Sequence, residues 1–268
     1  MSSGTAFRPC RDTHSLKAVS LGFCGFRAPA ASKQVMIWNT EARLVAWRDI
    51  GPEVRHFLFE VPQVSRFEFA PGQFVSLSGE LGGKRISRAY SIASPPGGNR
   101  FELSLNRVKE GAFSPRLFEL DPGDTIRIRG PYGVFILPTP ANDSVFVATG
   151  TGIAPFRSML RSRLPEDANH RFTLLFGCRQ EAGLLYREEF GQLERDHPNF
   201  RFLPTISRPG EGWPGRRGRV QQHLEEALAG RRDVDVYICG LNEMVNDVRE
   251  RLAGMGFGRK QIHFERYD

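Results

Sequence analysis

Cysteine is scarce in this chain and long apolar runs are missing. The four cysteines, Cys10, Cys24, Cys178 and Cys239, are scattered over 268 residues. They are too few and too widely spaced for a disulfide framework, a zinc site or a cysteine-held iron–sulfur cluster. No stretch approaches the roughly 18 apolar residues that a membrane helix needs, so no membrane insertion is expected. Internal repeats and low-complexity tracts are also lacking in the body of the chain. The formal charge of +7 invites a nucleic-acid reading, but most of it sits at the front. Arg8, Arg11, Lys17, Arg27 and Lys33 stand against the single acid Asp12 in the first 35 residues. The excess that remains is mild, and no nucleic-acid partner is expected. What the chain does have is 28 glycines, 18 prolines and 21 phenylalanines, a composition suited to a turn-rich protein with a sizeable β portion.

The front segment is rich in Ser, Ala and Arg, follows neither secondary-structure period and ends just before Met36. Three readings stand for it. It is a disordered or artefactual extension with Met36 the real start, a cleaved presequence of the Arg- and Ser-rich type, or a poor secretory signal built on AVSLGFCGF. Low cysteine use fits a reducing compartment and a cytoplasmic location, unless this segment directs the chain to an organelle or to export. From Met36 to about Leu137, short alternating runs (RHFLFEVP, QFVSLSG, RAYSIAS, RFELSLNRV, DTIRIRG) are separated by PGQ, GG, PPGG and DPGD. That spacing predicts an antiparallel barrel or sandwich. A helix is expected over SPRLFEL, opening at Ser114 with Pro115 in its first turn. Beyond Pro138 and Pro140, apolar strands alternate four times with helix-period segments, which predicts a parallel sheet covered on both faces. The expected organisation is a β unit over 36–138 followed by a doubly wound α/β unit over 139–268.

In an open α/β sheet, ligands bind outside the carboxyl ends of the strands. The first such end reads VATGTGIAPF. Gly150 and Gly152 let a dinucleotide approach the backbone, and the following helix start presents N–H groups to a phosphate. A plain glycine turn is the competing reading, since the third glycine of the usual fingerprint is missing. The next strand ends supply Arg179 in GCRQ, then Ser207 and Arg208 in TISRP, with Arg219 opening the next helix and Arg216 and Arg217 nearby. No acid stands where an NAD site places one for the ribose hydroxyls, and a guanidinium beside a hydroxyl suits a phosphate monoester. Solvated loop charge is the alternative for each arginine.

RISRAYSIAS is the strongest local feature. Arg88 and Tyr90 share one face of a strand and Ser91 turns to the other. An arginine for phosphate, a ring for stacking and a hydroxyl for a heteroatom suit a flat phosphorylated cofactor. The pattern R-x-Y-S-I-x-S, followed by Gly111 and Ser114 and then by GPYGVF at 130–135, resembles the flavin domain of the ferredoxin–NADP reductase superfamily. GTGIAPF, GCRQEAGLLYREEF, SRPGEGWPGRRGRV and CGLNEMV continue the likeness over essentially all of 36–268.

The resemblance implies an antiparallel flavin-binding barrel followed by a nicotinamide nucleotide domain. It also implies FAD, by family habit over FMN, with Arg88 on its phosphates, Tyr90 beside the ring, Ser91 near the flavin N5, and Gly111 to Ser114 at the pyrophosphate. Thr151, Gly152 and Pro155 are then expected along the nucleotide path, Cys239 and Gly240 near the nicotinamide, and Arg179, Ser207, Arg208 and Arg219 at the 2′-phosphate of NADPH. In FERYD, Glu265 takes the position of a carboxylate on the N5 proton path. Tyr267 is read either as a ring stacked on the flavin or as a sheet-edge residue, and Asp268 follows where plastid-type members end. The implied activity is hydride transfer from NADPH to FAD, with electrons passing singly to a ferredoxin or flavodoxin. Two alternatives are the NADH-using reductase component of a multicomponent oxygenase with a separate ferredoxin, and a non-catalytic binding module on the same scaffold. Neither the electron acceptor nor the oligomeric state is readable from the sequence.

Overall fold

A computed structural model of the protein describes residues 36–139 and 141–267. The readings made for the first 35 residues, for Pro140 and for Asp268 lie outside the described residues.

Alternation builds the first half. In β1 (Trp38–Gly51), Ala42 and Leu44 are buried and their neighbours face out. There follow β2 (Val54–Glu60), β3 (Phe74–Leu81), β4 (Lys84–Ser91), β5 (Arg100–Asn106), the short helix α1 (Ser114–Leu117) and β6 (Thr125–Tyr132). Every pairing is antiparallel, in the order β4-β3-β6-β1-β2-β5. The two outer strands meet just beyond β4, where Ile92 bridges Leu103 and the Ala93 N–H donates to the Glu102 carbonyl at 2.8 Å. The sheet thereby curls into a barrel and hides its edges at that point. Phe57, Phe59, Phe67 and Phe101 fill it with Leu44, Val75, Leu77 and Ile128. Each fully buried ring contributes roughly 1.5–3 kcal/mol of transfer free energy. The helix expected over SPRLFEL is only Ser114–Leu117; Phe118 and Leu120 beyond it pack against the barrel core.

The second half reads β7 (Ser144–Thr149), α2 (Ile153–Arg163), β8 (Phe172–Cys178), α3 (Arg187–Asp196), β9 (Phe200–Ile206), β10 (Arg216–Arg217), α4 (Leu224–Leu228), β11 (Asp235–Leu241), α5 (Asn242–Gly254) and β12 (Ile262–Tyr267). The strands are parallel, in the order β10-β9-β8-β7-β11-β12. Period two along β7 divides its residues between two cores. Phe146 and Ala148 join Phe156, Phe172 and Tyr237 on one face, and Val145 and Val147 join Ile238, Val245 and Val248 on the other. The segment GRVQQHLEEALAG opens as a 3₁₀ turn, Val220–His223, before α4. The strand order reverses between β7 and β11, which places the ligand crevice at their carboxyl ends. Both sheets belong to one compact unit.

Candidate functional site

A cleft of about 1010 Å³ opens along the carboxyl ends of β7, β8, β9 and β11, at the upper end of the roughly 300–1,000 Å³ usual for small-molecule sites. Among the residues singled out in the sequence, Gly150, Thr151, Arg179, Ser207, Arg208, Arg219, Gly240 and Tyr267 line it. Main-chain bonds bring the two strand-end arginines side by side. The Ser207 N–H donates to the Cys178 carbonyl at 3.0 Å and the Arg208 N–H to the Arg179 carbonyl at 2.8 Å. The Ser207 hydroxyl also reaches the Cys178 carbonyl at 3.4 Å. Arg216 and Arg217 are engaged elsewhere: Arg216 pairs with Glu226, and Arg217 donates to the carbonyls of Glu211 and Trp213.

Gly152, Pro155 and Cys239 are buried and stand outside the cleft lining. At Gly152, the residue just before α2, the chain packs tightly against the sheet, since a Cβ there would lie 2.3 Å from the Cys239 carbonyl oxygen. Gly240 has φ +152, and a Cβ on it would meet Thr149 Oγ1 at 2.4 Å. Only glycine fits either position, and both leave bare backbone at the switch point. Pro155 sits inside the first turn of α2, so it shapes the helix start from within and does not present a surface to the cleft.

Gln221, Glu243, Asp247 and Arg251 are among the cleft residues that the sequence reading did not single out. The Gln221 side chain is buried, its Nε2 donating to Asp247 Oδ2 at 3.1 Å while its Oε1 has no partner. A buried acceptor without a donor costs about 1–3 kcal/mol. Glu243, Asp247 and Arg251 recur every four residues along α5, one polar stripe on the helix that follows β11. That period was legible in NEMVNDVRERL. No local signal marks Gln221.

A second cluster lies where the barrel meets the last strands. Register places Cys239 beside Glu265 and Leu241 beside Tyr267 on the paired strands β11 and β12. From the barrel, the Ser91 hydroxyl at the end of β4 donates to Glu265 Oε2 at 3.2 Å. Burial raises the Glu265 pKa above the usual carboxyl value, and the bond from Ser91 only partly offsets it. Burial, reinforced by Glu265, also pushes the Cys239 thiol well up. Tyr267 lies on the edge strand of the parallel sheet. Its ring borders the cleft, and its hydroxyl is buried beside Ser91 and Cys239 without meeting hydrogen-bond geometry to either. Burial raises that phenol strongly as well.

On the barrel, Arg88 is exposed and donates to the Ser87 carbonyl at 2.9 Å. Tyr90 is half-buried, with its phenol pushed up to about 12 by burial despite Arg88 nearby. The sheet register sets Leu77 opposite Arg88 and Val75 opposite Tyr90, so guanidinium and ring share a face. Gly111 closes a turn through its N–H to the Val108 carbonyl at 2.8 Å, and the Ser114 hydroxyl accepts from the Val108 N–H at 2.9 Å. The expected phosphate contact at a helix start therefore rests on this tight turn, because α1 is a single turn with little dipole. An exposed guanidinium, a half-buried ring packed against the barrel core and a hydroxyl-bearing strand end fit a phosphorylated flavin. Glycine backbone, two neighbouring arginines and an orphaned amide oxygen fit a dinucleotide. Among the described residues, no group of three His, Cys, Asp or Glu side chains is arranged to hold a metal.

Comparison with known proteins gives a separate family match for each half of the chain. An oxidoreductase FAD-binding domain matches residues 41–136, and an oxidoreductase NAD-binding domain matches residues 146–250. Fold and site thus define an FAD- and nicotinamide-nucleotide-dependent flavoprotein oxidoreductase. Ferredoxin–NADP reductase B of Sorangium cellulosum is 46% identical over 237 residues, 85% of this chain and 97% of that protein. The toluate 1,2-dioxygenase electron transfer component of Pseudomonas putida is 26% identical over 91% of this chain and 73% of its own length. Among solved structures, a ferredoxin NADP⁺ reductase from Neisseria gonorrhoeae with bound FAD and NADP superposes with a TM-score of 0.75 at 28% identity, over 85% of this chain and 98% of that one. The chain belongs to the ferredoxin–NADP reductase family.

Proposed function

We propose that the protein oxidises NADPH and delivers the electrons one at a time to a small carrier of the ferredoxin or flavodoxin kind. Bound FAD supplies the exchange between a two-electron hydride and single electrons; the chain's task is to position and to manage protons. The observation that carries the reading is the contact of Ser91, on the flavin side, with Glu265 beside Cys239, on the nucleotide side. Arg88, Tyr90 and the Gly111–Ser114 turn hold the flavin against the barrel. Gly150, Thr151 and Gly240 offer backbone to the nucleotide, and Arg179, Ser207, Arg208 and Arg219 take its 2′-phosphate, with Arg251 of α5 lining the same cleft. Cys239 stays a neutral thiol, so no second fixed anion is buried beside Glu265 behind the cleft. Glu265 keeps its proton to higher pH than an exposed carboxyl, and Ser91 Oγ lies within reach to pass that proton on. Tyr267, with its hydroxyl turned inward at this junction, covers the buried cluster from the cleft.

The toluate dioxygenase relative supports a second reading, in which the same site uses NADH and serves an oxygenase through a separate ferredoxin. We place the protein in the cytoplasm on the support of the free thiols Cys178 and Cys239; no described helix is long and apolar enough to cross a membrane. The deciding experiment is anaerobic titration of the purified protein with NADPH and with NADH, then cofactor extraction, then addition of oxidised ferredoxin or flavodoxin. Extraction of FAD, bleaching by NADPH well below the NADH concentration needed, and reoxidation by the carrier are expected. A colourless protein that cannot be reconstituted with FAD overturns the reading; preference for NADH moves it to the oxygenase type.

A further inference from the structure

Away from the cleft, α2 carries a charged side chain into the junction between the sheets. Arg157 is 4% exposed. Its guanidinium donates to the Ala93 carbonyl at 2.8 Å, to the Glu102 carboxylate of β5, and through Nε to Glu189 Oε2 of α3 at 3.0 Å. The Tyr186 ring lies 4.7 Å from its centre. Next to it, the Ser158 hydroxyl donates to the Ser94 carbonyl at 2.5 Å. Arg161 adds a second cation against Glu102 and Glu189, so two guanidinium groups face two carboxylates. His56 completes the group uncharged, its Nδ1 2.9 Å from the Tyr186 hydroxyl and its ring 3.9 Å from Glu102.

The location matters more than the charge. Ala93 and Ser94 follow Ser91 by two and three residues, at the bridge that closes the barrel. Arg157 follows Gly152 by five, on the helix whose start packs against the Cys239 carbonyl. Arg157 therefore ties the chain just after the flavin-side serine to the helix that starts at the switch point. A buried ion network is weak evidence for stability, because desolvation consumes most of its Coulombic gain. A planar five-donor fork bridging three acceptors is instead a device for fixing geometry.

We propose that Arg157 is a positioning residue for hydride transfer, setting the approach of the nicotinamide in the α2 crevice to the flavin beside Ser91. This rests on the proposed oxidation of NADPH at that junction. Misplacement of reacting atoms by about 1 Å is enough to cost roughly a hundredfold in rate, and a lysine at 157 keeps one charge while losing the fork.

The test compares FAD-loaded wild type, Arg157→Lys and Glu102→Gln. The measurements are thermal melting, FAD content, the NADP⁺ dissociation constant, the flavin difference spectrum on NADP⁺ binding, and stopped-flow flavin reduction at saturating NADPH. We expect Arg157→Lys to retain FAD and NADP⁺ affinity, to show a weakened long-wavelength difference band, and to be reduced about 10- to 100-fold more slowly. Glu102→Gln, which leaves the Ala93 bond in place, is slowed less. If the folded, loaded Arg157→Lys protein is reduced at the wild-type rate, or loses only NADP⁺ affinity, the proposal is overturned. Should Arg157→Lys fail to fold, a wild-type rate in Glu102→Gln overturns it. Failure of wild type itself to be reduced by NADPH refutes the proposed function instead.

Discussion

Ser91 and Glu265 stand 174 residues apart in the chain, yet the serine hydroxyl donates to the carboxylate at 3.2 Å. One residue ends β4 of the barrel and the other lies on the edge strand of the parallel sheet, so their contact exists only when both sheets are in place.

Replacing Ser91 with Ala removes the group that links Glu265 to the flavin side. Stopped-flow reduction by NADPH should slow by roughly 10²-fold or more, in the range usual for a lost proton-transfer group, while extracted FAD remains stoichiometric. An unchanged rate would remove Ser91 from the mechanism.

Glu265 has a raised pKa from burial, and the sign follows directly. If the protonated carboxyl is the working form, turnover holds at low pH and falls as pH rises through that elevated value. Glu265→Gln should flatten this alkaline limb and lower the plateau. A pH profile identical to wild type would show that the limb belongs to another group.

Arg208 and Arg179 are neighbours through the 2.8 Å main-chain bond. Arg208→Ala should raise the NADPH dissociation constant about tenfold or more, as for loss of one charge-assisted hydrogen bond of roughly 1.5–3 kcal/mol, and spare NADH. Equal weakening of both nucleotides in equilibrium titrations would mean that the arginine does not read the 2′-phosphate.

His56 is depressed from 6.5 to about 4 by burial, with Arg157, Arg48 and Arg161 acting in the same direction against Glu102. Its ring also faces the Tyr186 hydroxyl. The unfolded chain thus binds more protons than the folded one between these values, and stability falls as pH drops from 6.5 toward 4. The loss is of order 3 kcal/mol, from about 1.4 kcal/mol per unit. Glu102, whose carboxyl is held low chiefly by Arg157 against the effect of burial, adds its own loss only at more acidic pH. Melting temperatures of wild type and His56→Gln should converge as pH falls through this window. Parallel curves would place the acid sensitivity elsewhere.

Gly152→Ala sets a methyl 2.3 Å from a main-chain oxygen. About 1–3 kcal/mol of stability should be lost to overpacking, with nucleotide affinity falling because the helix start must shift. Chemical denaturation and an NADP⁺ titration read the two effects separately.

Much of this architecture was written locally. The alternation in RHFLFEVP and RFELSLNRV and the strand–helix rhythm after residue 140 depend on periods of 2 and 3.6 that any short window contains. Glycine and arginine at strand ends were likewise visible, because a crossover topology sends every strand end to the same edge. Arg216 and Arg217 stand in the sequence only as further arginines near Arg219. Their engagement with Glu226, Glu211 and Trp213 is settled by how the 210–226 segment folds back, which no local pattern encodes.

The sequence by itself determined the two kinds of sheet, their order along the chain and the residue types offered to phosphate and flavin, since each follows from period, turn chemistry and motif. Only the tertiary structure decided which of them meet. Ser91 finds Glu265, Gln221 is clamped by Asp247 with its oxygen left open, and Arg157 spans Ala93, Glu102 and Glu189. Such contacts join elements far apart in the chain. Their energies come from burial and from completed hydrogen bonds, and both arise only when the sheets have packed.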